Sequence, residues 1–192
     1  MSFADKVSIL RILLIPIFVS LIFYYNAQHQ YLKYVIIAVF ALAVLTDFFD
    51  GLVARMKKEK SKIGEVIDPL ADKLLLLTAF ICLYAFRESL PLRATHSIPL
   101  YVVLIVVSRD LIILLGVLIL YLLKIEIPIA PSMWGKLTTF FQMFTILFVL
   151  LDVPLITPYI WNIAVVFTLI SGFGYFARGV KAINAKTSLP RP

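Results

Sequence analysis

The chain contains one cysteine, Cys82, so an intrachain disulfide is excluded. Cys82 sits in an apolar run, where packing is its expected role. The two histidines, His29 and His96, fall in segments predicted to lie on the outer side, far from the acidic cluster described below. They are not expected to ligate a metal. Charged residues are also scarce. They make up 15% of the sequence against 62% hydrophobic residues, and the mean hydropathy is +1.01. A water-soluble domain of this length needs far more polar surface. There is no internal repeat and no low-complexity tract. A nucleic-acid-binding role is not expected, because no basic soluble domain is present to carry it.

Long apolar runs are present instead. A transmembrane helix needs about 20 mostly apolar residues. Six segments meet this requirement, at roughly 9–25, 32–55, 64–86, 98–123, 136–151 and 159–180. They occupy most of the chain, so the expected fold is an all-α, six-helix membrane bundle forming a single domain over 1–192. The first segment is long, and the following "YYNAQHQ" offers no small-x-small cleavage site, so a retained helix is expected rather than a signal peptide.

The net charge of +7 is unevenly placed. Lys6 and Arg11, then Lys57, Lys58, Lys60 and Lys62, then Lys124 and Lys136, then Arg178, Lys181, Lys186 and Arg191 mark alternate connections and both termini. The opposite connections hold chiefly Lys33, Arg87 and Arg93. The positive-inside rule then puts both termini in the cytoplasm. The basic face also suits anionic lipid headgroups of a bilayer, here expected to be a bacterial inner membrane.

Against this background the stretch 46–73, "TDFFDGLVARMKKEKSKIGEVIDPLADK", stands out because it holds four aspartates beside or inside apolar runs. Asp47 and Asp50 are spaced i, i+3, and Asp68 and Asp72 are spaced i, i+4, so each pair shares a helix face. The short connection from Met56 to Lys62 makes the second and third helices antiparallel neighbours, and the two pairs are expected to meet at similar depth. Ionised carboxylates are costly there. Two outcomes remain open on the residues alone: protonation of some carboxylates, or neutralisation by divalent cations. An all-carboxylate donor set favours Mg²⁺ or Mn²⁺ over zinc. Gly51, Ala54 and Gly64 remove bulk beside the aspartates, which suits either close helix packing or a ligand pocket. Arg55 suits either a bidentate phosphate contact or a topology anchor.

Together these residues spell D-x-x-D-G-x-x-A-R, eight residues, then G-x-x-x-D-x-x-x-D, and Asp47, Asp50, Gly51, Ala54, Arg55, Gly64, Asp68 and Asp72 fill every fixed position. The pattern resembles the signature of the CDP-alcohol phosphatidyltransferase family, and the six-segment plan extends the resemblance over nearly the whole chain. The resemblance implies a six-helix membrane bundle, a homodimer, and a reaction at the cytoplasmic face. A CDP-linked lipid, CDP-diacylglycerol, would place its diphosphate on two Mg²⁺ or Mn²⁺ ions. An acceptor hydroxyl would attack the lipid-side phosphorus, and CMP would leave. Metal binding is implied for Asp47, Asp50 and Asp68. The role of base, with a share in the metal site, is implied for Asp72. Asp50, Gly51, Ala54, Arg55 and Gly64 match positions around the CDP-lipid.

Three further cations invite attention. Arg109 interrupts the fourth segment in "VVSRDLII", Lys136 opens the fifth in "PSMWGKLTTFFQ", and Arg178 closes the sixth in "GYFARGVK". An ion pair with Asp110 is the structural alternative for Arg109, and interfacial anchoring is the alternative for Lys136 and Arg178. As a set they resemble the acceptor-phosphate pocket of family members that use phosphorylated acceptors, in particular the phosphatidylglycerophosphate synthases, which use glycerol 3-phosphate. Asp110 stands where many of those enzymes have Glu, and Thr138 where many have a second basic residue. An Arg-Asp pair is also similar to cardiolipin synthases, which use phosphatidylglycerol as the alcohol. A non-enzymatic cation or proton carrier is the alternative from a different class.

Overall fold

The structure, a computed structural model of the 192-residue chain, describes residues 3–26, 28–57, 64–88, 90, 97–122 and 133–187. Within them, the helical stretches 3–8, 47–57, 64–72, 117–122 and 181–187 are described by backbone alone. Six α-helices and no strand occur among the described residues: α1 Phe3–Tyr24, α2 Leu32–Lys57, α3 Gly64–Ala85, α4 Leu100–Leu122, α5 Met133–Leu151 and α6 Thr157–Thr187. Each overlaps one of the six apolar segments, with α1, α3 and α4 stopping one or two residues short of an expected end. The helices outrun those segments at both ends of the chain, because the polar stretches "ADKVS" and "VKAINAK" hold good helix formers and no proline. Arg178 therefore does not close α6, which continues to Thr187. Likewise α2 extends through Met56 and Lys57, so the connection to α3 is shorter than the sequence suggests.

α1 packs against α2 and α3, α3 against α4, α4 against α6, and α5 against α6, with α5 also touching α2 and α3. Burial follows helical spacing. Leu14, Phe18 and Ile22 on α1 face Ile36, Phe40 and Ala43 on α2 and Leu76, Ala79 and Phe80 on α3 within one core. Pro16 lies inside α1, and Ser20 Oγ donates to the Pro16 carbonyl at 2.8 Å. Cys82 is buried in the same core as a packing residue.

The α5–α6 seam has a different character. Thr138, Gln142, Thr145, Thr168 and Ser171 are all buried along it. Thr138 Oγ1 donates to the carbonyls of Trp134 (2.8 Å) and Phe167 (2.9 Å), and Gln142 Nε2 donates to Thr168 Oγ1 at 3.4 Å. The Phe141 and Phe167 rings stack at 5.1 Å with an interplanar angle of 7°. Small and hydroxylated residues at a helix seam, with large apolar residues turned outward, is the arrangement expected of helices whose surroundings are as apolar as their core. Outward-facing residues include Phe173 at 75% exposed, Ile112 at 61% and Phe23 at 64%. Among the described residues, α5 (Met133–Leu151) and Thr157–Val180 of α6 are long and apolar enough to cross a membrane, and Ile9–Tyr24, Leu32–Thr46 and Lys73–Ala85 are shorter apolar helices.

Candidate functional site

The aspartate motif falls on two helices. Asp47, Asp50, Gly51, Ala54 and Arg55 lie on the C-terminal half of α2, and Gly64, Asp68 and Asp72 lie on the N-terminal half of α3. The backbone is helical through both stretches, so Asp47 and Asp50, and likewise Asp68 and Asp72, stand one turn apart. The side chains of all eight motif residues lie outside the described residues, and the expected meeting of the two aspartate pairs lies there too. The described parts of the helices are joined through α1 and α5, which each pack on both.

The second set of candidates is described in full. Arg109 on α4 is buried, 7% exposed, although a guanidinium in an apolar helix is expensive to bury without partners. It has them. Nη1 donates to Asp110 Oδ1 at 2.5 Å, and Nη2 donates to Ser171 Oγ on α6. The ion pair with Asp110 that the sequence offered as the alternative is thus present. Asp110, 3% exposed, also accepts from Lys73 Nζ of α3 at 2.8 Å, again through Oδ1. One carboxylate oxygen therefore serves two cations on different helices, and the triad carries a net positive charge.

The ion pair does not exhaust Arg109. A guanidinium has five N–H donors, and the two bonds above use two of them. Nε is buried and has no partner among the described residues. The guanidinium carbon lies 5.6 Å from the Tyr175 ring centroid, and that of Arg178 lies 4.5 Å from the same centroid. Ser171, Tyr175 and Arg178 follow at i, i+4 and i+7 along α6, so one face presents a hydroxyl, an aromatic ring and a cation towards the α4 arginine. Gly172 makes room for this approach: a β-carbon there would stand 3.3 Å from Arg109 Cγ. Arg178 is exposed, and its Nε donates to the Gly174 carbonyl at 3.0 Å.

Lys136 lies on the first turn of α5 and is exposed. The bond from Thr138 to Phe167 fixes its level against α6. Since α5 and α6 run in opposite directions, Lys136 is about 3 Å further along the axis than Thr138, on the side towards Ser171, which is about 6 Å beyond Phe167. The structure thus brings Arg109 and Arg178 around Tyr175, and leaves Lys136 nearest the level of Ser171, about 9 Å short of Tyr175 along the axis.

The sequence reasoning missed Lys73, Ser171 and Tyr175. Lys73 was masked by its conspicuous neighbour Asp72. Ser171 and Tyr175 carried a usable signal, since polar groups spaced i, i+4, i+7 in an apolar helix mark one face. Among the described residues no group of three or more His, Cys, Asp or Glu side chains forms a metal site.

Comparison with known proteins bears on the whole chain. Residues 1–170 match the family model described as CDP-alcohol phosphatidyltransferase. A probable phosphatidylglycerophosphate synthase from Mycobacterium tuberculosis is 34% identical over 191 residues, which cover 95% of this chain and 84% of that protein. A CDP-diacylglycerol–glycerol-3-phosphate 3-phosphatidyltransferase from Rickettsia typhi is 32% identical over 180 residues, 90% of this chain and 93% of that one. The protein of the same name from Bacillus subtilis is 29% identical over 197 residues, 94% and 96% of the two chains.

Proposed function

The chain belongs to the CDP-alcohol phosphatidyltransferase family, and from that premise we propose that it transfers the phosphatidyl group of CDP-diacylglycerol to glycerol 3-phosphate and releases CMP. The observation that carries the choice of acceptor is the buried cationic centre at Arg109, which meets Arg178 across Tyr175 and is built from residues outside the aspartate motif. A phosphorylated acceptor needs such a second anion site. The names of the M. tuberculosis, R. typhi and B. subtilis relatives agree with it.

In this reading all six helices span a bacterial inner membrane as one domain, with both termini and the active site on the cytoplasmic side, and two copies form a homodimer. The outward apolar residues support the span assignment, and the lysines of 57–62 with the basic C-terminal region support the orientation.

The donor set suits Mg²⁺ or Mn²⁺: the motif supplies four carboxylates, one turn apart in each pair on helical backbone. Asp47, Asp50 and Asp68 would hold two ions, with Asp72 contributing. When bound, the ions supply charge neutralisation at the diphosphate. The chain's residues do the rest. Asp50, Gly51, Ala54, Arg55 and Gly64 border the CDP-lipid. Arg109, Lys136 and Arg178 hold the acceptor's phosphate, and the N–H groups of Arg109 not already bonded are the donors on offer. Asp72 takes the proton from the acceptor hydroxyl as its oxygen bonds to the lipid-side phosphorus, while the bond from that phosphorus to the CMP oxygen breaks. Such chemistry depends mainly on positioning and charge neutralisation.

The experiment is CMP release by the purified protein in detergent with CDP-diacylglycerol, Mg²⁺ and either glycerol 3-phosphate or phosphatidylglycerol. Release that depends on glycerol 3-phosphate is expected. Release with phosphatidylglycerol alone would move the chain to the cardiolipin-forming branch. A carrier would release none.

A smaller effect is expected at Gly172. Replacing a helical glycine with alanine favours the helix by about 1 kcal/mol, yet the new methyl would press on Arg109 Cγ at 3.3 Å. Arg109 is held by Asp110 and Ser171 and has little freedom to yield. Gly172→Ala should therefore gain no melting temperature, because the strain of overpacking offsets the helix gain, and its KM for glycerol 3-phosphate should rise several-fold. An unchanged KM would place the acceptor away from Arg109.

A further inference from the structure

Asp110 joins three helices at one carboxylate. From α4 it holds α3 through Lys73, the residue that immediately follows Asp72, and α6 through its neighbour Arg109 by way of Ser171. The bonded pairs are 37 and 62 residues apart in sequence, so neither contact follows from local helix geometry. Asp110 and Arg109 are almost wholly buried, whereas the Lys73 side chain is 25% exposed. Asp110 Oδ2 has no partner among the described residues, so both ties converge on Oδ1.

We propose that Lys73 and Asp110 are positioning residues: their bridge sets the register of α3 against α4, and so the placement of Asp72 relative to an acceptor held on Arg109. This rests on the acceptor assignment made above and deepens it. A buried pair is weak evidence for stability, because water-free packing of apolar residues serves a core as well or better. Its value here is geometric. It fixes two helices that carry different halves of one reaction, and a shift of about 1 Å between reacting groups costs up to a hundredfold in rate. Lys73 does not touch the acceptor in this scheme. Its loss should therefore act on kcat, leaving the KM for each substrate nearly unchanged. A merely structural lysine would instead lower the melting temperature, or disturb both KM values, with kcat retained.

The test uses the full-length protein in detergent, with CMP release measured while CDP-diacylglycerol and glycerol 3-phosphate are varied in turn. The variants are Lys73→Arg, Lys73→Gln, Asp110→Asn and the double Lys73→Gln/Asp110→Asn. Lys73→Gln is expected to lower kcat about ten- to hundredfold, as misplacement of reacting groups does, with both KM values held within about threefold, well under the cost of a lost charge-assisted contact. Lys73→Arg, which keeps a cation on Asp110, should recover most of that loss. The double variant should lose no more than Asp110→Asn alone, since that variant already removes the Lys73 contact along with the charge facing Arg109.

Multiplying losses in the double variant would overturn the proposal, as would a Lys73→Gln kcat equal to that of the unmutated protein. If the neutral variants fail to fold, Lys73→Arg decides the matter: near-normal kcat supports the bridge, and a severe loss in folded protein overturns it. The unmutated protein is run with both acceptors alongside. Turnover with phosphatidylglycerol alone removes the glycerol 3-phosphate reading and this proposal with it. Turnover with glycerol 3-phosphate and unaltered variants removes only this proposal.

Discussion

Asp47→Asn, Asp50→Asn and Asp68→Asn will each lower turnover by about 10²–10³-fold or more, the scale set by removing one group that stabilises developing charge. Chelation of divalent cations will abolish it. The reason lies in the composition of the motif. A carboxamide keeps the shape of the side chain and discards the charge, so it tests neutralisation directly. The motif stretch 46–73 supplies four aspartate carboxylates and contains no histidine or cysteine, so it offers no imidazole or thiolate of its own to compensate. Restoring Mg²⁺ or Mn²⁺ after chelation should restore activity, and Zn²⁺ should do so poorly. Full turnover in metal-free buffer would sink the metal assignment. Asp72→Asn tests a different role. If the residue acts chiefly as the base, kcat falls while CDP-lipid affinity stays, since the lost interaction is made in the transition state. Weakened metal affinity in that variant would make Asp72 a ligand instead.

Arg109→Ala is expected to lower kcat/KM for glycerol 3-phosphate by one to two decades, corresponding to about 1.5–3 kcal/mol for a charge-assisted contact. Arg109 is the buried member of the cationic set, so water screens its charge least. Arg178 and Lys136 are exposed, and their removal should cost only a few-fold. This ranking comes from burial, and it agrees with the sequence, where Arg109 interrupts an apolar segment while Lys136 and Arg178 stand at segment ends. Arg109→Lys should be nearly as damaging as the alanine variant, because an ammonium cannot reproduce the fork that now reaches Asp110 and Ser171 at once. Binding of CDP-diacylglycerol should change much less. Steady-state kinetics for each substrate, with a separate CDP-lipid binding measurement, checks this. Equal losses for both substrates would remove the acceptor-pocket assignment, and an Arg178→Ala loss exceeding that of Arg109→Ala would reverse the ranking.

What was legible in the sequence was whatever repeats locally or sits at fixed spacing. The six helices follow from apolar runs broken by charge and proline, and the motif of Asp47 through Asp72 is a set of spacings on two of them. The family follows from the same residues. The helix ends were less legible, because "VKAINAK" is polar enough to leave a membrane and still helical. The Arg109–Asp110 pair was legible because the two residues are neighbours in the chain, but the third member was not, since Lys73 lies 37 residues from Asp110.

The sequence by itself determined the class of the fold, the helices and the spacing of the aspartate motif, because hydrophobic runs and i, i+3 or i, i+4 spacings act within one helix. Only the tertiary structure decided which faces of those helices meet. Val106 is buried on α4 and Ile112 is 61% exposed, yet both are apolar. Where the exterior is as apolar as the core, hydrophobicity cannot tell inside from outside, and the decision passes to polar and small groups that must find partners: Thr138 on the Phe167 carbonyl, Arg109 on Ser171 past Gly172, and Asp110 between Arg109 and Lys73.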